Sequence, residues 1–122
     1  MKLVWDPAGI AAIEKRVDRA HDNVVDAVQR DAFRFAPKDT WAMANSIRKR
    51  NVARRRSRII VGGRAAPYWA TVEYGSEPHE IRARRKKALH WTGAKHPVRR
   101  VWHPGTPAQP FMRRALYVKR VI

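Results

Sequence analysis

The stretch that decides the fold is residues 8–35, "AGIAAIEKRVDRAHDNVVDAVQRDAFRF". Its apolar residues recur at steps of three and four, which is the period of one helix face. Asp6 suits the N-cap before this stretch, and Pro7 suits its first turn. Pro37 ends it, because the residue before a proline avoids helical geometry. The pattern therefore predicts one long N-terminal helix over residues 8–35.

Four acidic residues recur at intervals of four on the side of this helix opposite the apolar stripe: Glu14, Asp18, Asp22 and Asp26. Like charges at this spacing repel one another, so positive charge must offset them. Either a basic neighbouring subunit supplies that charge or the same helix does, through Lys15, Arg19 and Arg30. The first alternative makes three of the acids candidates for a subunit interface: Asp18, Asp22 and Asp26.

The rest of the chain predicts a second helix at 40–49, capped by Asp39 or Thr40, a sheet region over 51–103 and a C-terminal helix at 109–119. The sheet region holds a hairpin with a basic turn at 53–57, and short strands at 79–83, 88–92 and 98–103. A length of 122 residues without internal repeats or low-complexity linkers predicts a single domain. The predicted fold class is α+β, with a small antiparallel sheet packed by the long N-terminal and the short C-terminal helix.

The net charge of +17 is unevenly distributed along the chain. Residues 1–40 hold equal numbers of acidic and basic side chains, so the whole excess lies in residues 41–122, and no acid follows Glu80. Such a charge attracts either the phosphates of a nucleic acid or an acidic partner protein. Two runs are predicted to face DNA or such a partner: Arg54, Arg55, Arg56 and Arg58, and then Arg84, Arg85, Lys86 and Lys87.

Catalytic and metal-binding patterns are missing from the sequence. It contains no cysteine, no phosphate-binding glycine loop and no hydrolase motif, and the spacing of its five histidines matches no zinc motif. Glu73, Glu77 and Glu80 with His79 form a weak candidate for a nuclease centre. We therefore predict no metal, no cofactor and no enzymatic activity. No apolar run has the roughly 20 residues of a membrane span, so we expect a soluble, intracellular chain that does not enter a membrane. The tryptophans and tyrosines are expected mainly in the core.

Residues 100–116, "RVWHPGTPAQPFMRRAL", allow two interpretations. They form either an active-site loop with His103 as acid or base, or a structural corner. The corner is favoured, because Pro104 and Gly105 turn the chain and Pro110 starts the last helix. In that helix Phe111 is expected to anchor the core, on one apolar face with Met112, Ala115 and Leu116.

Four stretches occur in an order that resembles one protein family. "APKDTWAMANSI" (36–47) is similar to AP-x-DTG-x-L-x-x-SI, and "APYWATVEYGS" (66–76) is similar to YA-x-x-VE[FY]GT. "KKALHW" (86–91) resembles a small strand of the family, and "HPGTPAQPFMRRAL" (103–116) is similar to HPGT-x-[AP]QPF[LM]-x-PAL. Together they resemble the minor tail-component, or neck, family of long-tailed bacteriophages. Trp41, Ser76 and Arg114 replace the usual glycine, threonine and proline.

The resemblance implies a structural protein of the virion. Such proteins form a ring at the head–tail junction, between the connector and the tail tube or tail terminator, and the double-stranded genome passes through it. By this resemblance we expect a homo-hexameric ring, with a dodecamer as the other option, made in the cytoplasm of a bacterial host. The competing hypothesis is a basic nucleic-acid-binding protein unrelated to virions.

Overall fold

A computed structural model of the chain describes residues 2–120. Its helices are α1 (Pro7–Phe35), α2 (Ala42–Asn45), α3 (Trp69–Tyr74) and α4 (Met112–Tyr117), and its strands are β1 (Arg48–Ala53), β2 (Arg56–Ile60), β3 (His79–Arg82) and β4 (Arg100–His103). The α+β class is confirmed, but the predicted single sheet is two separate antiparallel pairs, β1–β2 and β3–β4. The described residues form two compact units, one comprising residues 2–69 and 110–120, the other residues 70–109.

Local capping sets the bounds of α1. The Asp6 carboxylate accepts a hydrogen bond from the Ala8 N–H at 3.1 Å, as expected of an N-cap. At the other end Ala36 is extended, as the residue before a proline should be. The Lys38 ammonium donates to the carbonyl oxygens of Arg34 (2.7 Å) and Ala36 (3.0 Å), which otherwise lack helical partners.

The second helix is much shorter than the predicted span of 40–49. Trp41 takes a left-handed conformation (φ +65°) as N-cap residue, so neither Asp39 nor Thr40 caps the helix. At its end the Ser46 hydroxyl donates to the Met43 carbonyl oxygen (2.6 Å) and accepts from the Gly62 N–H (3.0 Å). This link turns the chain out of the helix, and β1 begins two residues later.

Small residues dominate the core of the first unit. Its buried apolar side chains are Ala32, Ala36, Met43, Ala44, Ile47, Ala66, Phe111 and Ala115. Phe111 immediately precedes α4 and is fully buried, and α4 contacts α1. An ion pair between Arg120 and Asp31, 2.7 Å long and largely buried, also ties the C-terminal segment to α1. Leu116, expected on the apolar face of α4, is exposed.

Most of the aromatic residues lie outside this core, contrary to the sequence-based prediction. Trp5, Trp41, Trp91 and Trp102 are between 47% and 76% exposed, and two of the three tyrosines, Tyr74 and Tyr117, are at least 64% exposed. Most of the buried apolar positions in this unit are alanines, and the largest fully buried apolar side chain within residues 2–120 is Phe111. A core lined by such small side chains is narrow and leaves little room for indole rings.

The second unit contains the corner predicted around His103. α3 ends at Tyr74 and is followed by Gly75, which has φ +73°. Ser76 and Thr106 then exchange two backbone hydrogen bonds of 2.9 and 3.0 Å. Gly105 (φ +89°) lies beside this crossing, where an added Cβ atom would come within 2.5 Å of the Ser76 carbonyl oxygen. Residues 66–76 and 103–116, two of the family-like stretches, thus contact each other next to Gly75 and Gly105. Both glycines have a positive φ, which other residues rarely adopt.

Candidate nucleic-acid interface

The β1–β2 hairpin sorts its basic residues onto two faces. Its register pairs Arg50 with Arg58 and Asn51 with Ser57, and the tight turn consists of Arg54 and Arg55. Since side chains alternate along a strand, Lys49, Asn51, Ser57 and Ile59 share one face and Arg48, Arg50, Arg56 and Arg58 share the other. The first face lies towards α1, because the Lys49 ammonium forms an ion pair with the Asp26 carboxylate.

The turn arginines bind acidic residues of the same chain. The Arg54 guanidinium donates to the carboxylates of Glu14 (3.3 Å) and Asp18 (3.1 Å). Nε of Arg55 donates to the other oxygen of Asp18 at 2.6 Å. Hydrogen bonds from Arg54 and then Arg55 hold the pKa of the Asp18 carboxyl below its usual range. Arg54 and Arg55 are therefore already neutralised within the chain, which makes them poor candidates for phosphate contacts.

The same contacts bear on the predicted subunit interface. Two of its three candidates have partners in the hairpin: Asp18 binds the turn arginines and Asp26 binds Lys49. Asp22 is exposed and lies 3.3 Å from the His21 imidazole, a contact that is ionic only when the histidine is protonated. The acidic side of α1 thus offsets its own repulsion through the hairpin, a third source of positive charge beside the two that the sequence suggested.

The outer face of the hairpin has no such compensation. We call it the arginine face; its members are Arg48, Arg50, Arg56 and Arg58, all exposed. Within residues 2–120 none of the four guanidinium groups has a carboxylate within ion-pair distance. Arg48 is held by the carbonyl oxygens of Ser46 (3.1 Å) and Gly62 (3.3 Å), which leaves its charge unneutralised.

The spacing of the arginine face suits a polyanion. Directly opposed residues such as Arg50 and Arg58 have Cβ atoms about 4.5–5.5 Å apart, and alternate residues of one strand are about 6.8 Å apart. Like charges at the first distance destabilise the hairpin by themselves. A row of phosphates would offset this repulsion, because each phosphate accepts charge-assisted hydrogen bonds from guanidinium groups.

The sequence predicted two of the four members of the arginine face. Arg56 and Arg58 are among the residues predicted to face DNA or a partner, whereas Arg48 and Arg50 are not. The predicted second helix (40–49) includes Arg48, and the predicted sheet region (51–103) begins after Arg50. The spacing R-x-R on both sides of the turn is the signal that could have identified them. It places alternate residues of two paired strands on one face.

The second predicted basic run lies in the other unit. Arg84, Arg85, Lys86 and Lys87 are all exposed in an irregular segment after β3, just before an isolated bridge between Leu89 and Val98. In the described chain, residues 2–120, none of these four side chains has an ion-pair or hydrogen-bond partner. This run is a solvated basic loop that can meet a polyanion without losing an internal contact.

The three glutamates of the candidate nuclease centre lie in different environments. Glu73 is 1% exposed and already has an interaction partner, whereas Glu77 is exposed. Glu80 pairs with Arg82 and Arg100. Residues 2–120 contain no group of three or more histidine or carboxylate side chains arranged to hold a metal ion.

His103 lies in a purely local arrangement. Its Nδ1 accepts a hydrogen bond from the Gly105 N–H at 3.1 Å, and its ring lies 5.1 Å from that of His79 on the paired strand. The Gly105 bond fixes the ring against the turn after β4. The geometry matches the structural corner better than an acid–base role.

The helices within residues 2–120 include none that is both long and apolar enough to cross a membrane. Comparison of the chain with protein-family models, with curated proteins and with solved structures found no match.

Proposed function

We propose that this chain is a structural subunit of the head–tail junction of a long-tailed bacteriophage, a neck or tail-completion protein that forms a ring around the passing genome. In this proposal its partners are further copies of itself, the neighbouring connector and tail-tube or tail-terminator proteins, and double-stranded DNA. It carries out no reaction and needs no cofactor.

Backbone conformation at the family-like motifs supports the assignment. Trp41 occupies the position where the family pattern has glycine, and its φ of +65° is a conformation that glycine favours. Gly75 and Gly105, which the pattern shares, also have positive φ, at +73° and +89°. Two shared glycines, and the tryptophan that replaces a third, thus take a backbone conformation that glycine favours, which supports the resemblance.

The arginine face is the observation that carries the DNA contact. It gathers four uncompensated guanidinium groups on one side of a short hairpin, while the two turn arginines are neutralised within the chain. The contact it favours is with the phosphate backbone, which is independent of sequence. A protein through which any part of a genome slides needs a contact of that kind.

An exposed apolar surface on α1 supports self-association. In the first half of the helix Ile10, Ile13 and Val17 share one face and are 39%, 63% and 44% exposed. Just before it Leu3 and Trp5 are 92% and 76% exposed. Contiguous exposed apolar residues of this kind mark protein–protein contacts. A ring of identical subunits buries such a face in every copy.

Imaging of the purified protein tests the ring. We expect hexameric rings, with dodecamers as the other option, and we expect the double substitution Ile13→Glu with Val17→Glu to disperse them. Circular dichroism should stay unchanged, because both side chains lie on the exposed face. Wild-type protein that remains monomeric at high concentration yet binds DNA would support the alternative, a basic nucleic-acid-binding protein unrelated to virions.

Two charge-matched double variants test the DNA contact. Arg56→Gln with Arg58→Gln should weaken duplex binding and reduce the slope of log K against log salt by about two units, because each lost phosphate contact removes about 0.9. Arg54→Gln with Arg55→Gln removes the same charge and should leave that slope nearly unchanged. Equal losses in both variants would show that only net charge matters, and would contradict a contact specific to the arginine face.

The absence of catalysis has its own test. We expect supercoiled plasmid to stay intact when incubated with the protein and either Mg²⁺ or Mn²⁺. Nicking by wild-type protein that disappears in a Glu77→Gln variant would contradict a purely structural role.

A further inference from the structure

One face of the β3–β4 pair presents an exposed indole next to a pair of opposed arginines. The register places Trp102 opposite Glu80 and Arg100 opposite Arg82. Because side chains alternate along each strand, these four residues share one face. Trp102 is 66% exposed although it lies within a paired strand.

Glu80 positions both arginines beside the indole. Its Oε2 accepts hydrogen bonds from Nε (3.3 Å) and Nη2 (3.1 Å) of Arg82, and its Oε1 lies 3.7 Å from Nε of Arg100. The two arginine side chains remain 69% and 74% exposed. A single carboxylate thus orients two guanidinium groups and leaves a net positive charge next to Trp102.

We infer that this face is a binding site for single-stranded nucleic acid, in which an unpaired base stacks on Trp102 and the adjoining phosphates contact Arg82 and Arg100. Every base has a π face, so such a site is tolerant of sequence. Bases within a duplex are stacked on one another and do not present that face to the indole. The site therefore distinguishes single strands from duplexes, which the arginine face does not.

The charge of the surrounding unit favours a nucleic acid over a protein partner. Residues 70–109 contain eight lysines and arginines, all of them exposed, and three glutamates. Of these glutamates Glu73 is buried and Glu80 is paired with the two arginines. The phosphates of a single strand carry one negative charge per nucleotide and can therefore offset this excess of positive charge. The inference is independent of the proposed function, since it requires neither a ring nor the hairpin.

The experiment compares two single-stranded probes that carry identical phosphates. One is a decathymidylate, and the other is the same backbone with every base removed. Wild-type protein should bind the decathymidylate more tightly by about 5- to 150-fold, the range that one stacked base contributes. In Trp102→Ala the two probes should bind equally, whereas Trp102→Phe should retain most of the preference. Trp91→Ala is the matched control, because Trp91 is 47% exposed in the same unit and belongs to neither β3 nor β4.

Arg100→Gln separates the two parts of the site. It should weaken binding of both probes by a similar factor, because it removes a phosphate contact and leaves the indole in place. Binding of a ten-base-pair duplex should not change in Trp102→Ala.

Three results would overturn the inference. Wild-type protein binding both probes equally would exclude base stacking, and this comparison needs no variant to fold. Trp102→Ala losing affinity for both probes alike would indicate a structural role for the indole. Trp102→Ala disrupting self-association with its base preference intact would make Trp102 a protein contact. Ring formation and the salt slope of the Arg56 and Arg58 variant are separate measurements, so failure here leaves the proposed function standing.

Discussion

Replacing Gly105 with alanine tests the backbone crossing in the second unit. The new Cβ atom would lie 2.5 Å from the Ser76 carbonyl oxygen, whereas ordinary contacts between carbon and a carbonyl oxygen are about 3.3–3.6 Å. The neighbouring atom is backbone, so the two segments must move apart. That movement weakens the two hydrogen bonds between Ser76 and Thr106, which are 2.9 and 3.0 Å long.

The expected loss of stability in Gly105→Ala has two contributions. A side chain at the φ of +89° costs about 1–2 kcal/mol, and each weakened hydrogen bond costs about 0.5–1.5 kcal/mol. Gly105→Ala should therefore lower the free energy of unfolding by about 2–5 kcal/mol. Gly93 is a matched control, because its φ is +92° and nothing lies within 4 Å of an added Cβ. Gly93→Ala should lower the free energy of unfolding by only about 1–2 kcal/mol, the contribution of a side chain at positive φ.

Urea denaturation followed by tryptophan fluorescence measures both variants. Hydrogen exchange of the Ser76 and Thr106 amides supplies a local measurement, which should show lost protection in Gly105→Ala and native protection in Gly93→Ala. Equal destabilisation by the two substitutions, with both amides protected, would refute the close crossing.

Substitutions at three further positions test the first unit. Phe111→Ala should cost about 3–5 kcal/mol in urea denaturation, since the ring is fully buried, and a loss below 1 kcal/mol would contradict its role as core anchor. Trp41→Gly should be more stable than Trp41→Ala by about 1 kcal/mol, because both lose the ring and only glycine relaxes the positive φ. The lowered pKa of Asp18 adds stability above its usual value of 3.8 that is lost as the pH falls through the lowered pKa. Asp18→Asn should therefore flatten the decrease in stability between pH 5 and pH 2, and an unchanged pH dependence would contradict the pairing with Arg54 and Arg55.

Local signals explain what the sequence predicted well. The bounds of α1 follow from an N-cap carboxylate, an adjoining proline and a second proline beyond its end, all within a few residues of the bounds themselves. The hairpin followed from the β-branched residues Ile59 and Ile60 between a basic turn and a glycine pair. Neither inference required knowledge of which distant segments touch.

The partners of the turn arginines depended on tertiary packing. Asp18 lies 36 residues before Arg54, and Glu14 lies 40 residues before it. Both contacts exist because the hairpin folds back along α1, which no local pattern encodes. Without this tertiary contact the sequence offered two sources of positive charge, the helix's own basic residues or a second subunit. The hairpin of the same chain supplies it instead to Glu14, Asp18 and Asp26.

The misplaced tryptophans have a different cause. Aromatic residues enter cores because they bury large apolar areas, which assumes a core wide enough to hold them. Here the buried apolar positions are mostly alanines, so the core is narrow and leaves little room for indole rings. The frequency of alanine at positions 32, 36, 44 and 115 was visible in the sequence, and it indicates narrow packing in this unit.

Strand alternation, rather than the number of basic residues, determines where this chain can meet a polyanion. The hairpin carries positive charge on every side, yet the side towards α1 is neutralised by Asp18 and Asp26. The opposite side retains four charges, because period-two geometry directs alternate residues away from the helix. The same geometry in β3–β4 places Trp102 and Arg100 together on one face. Variants that remove equal charge from different faces therefore show whether binding depends on where the charges lie. Variants that change only the total charge cannot distinguish such a dependence from non-specific electrostatic attraction.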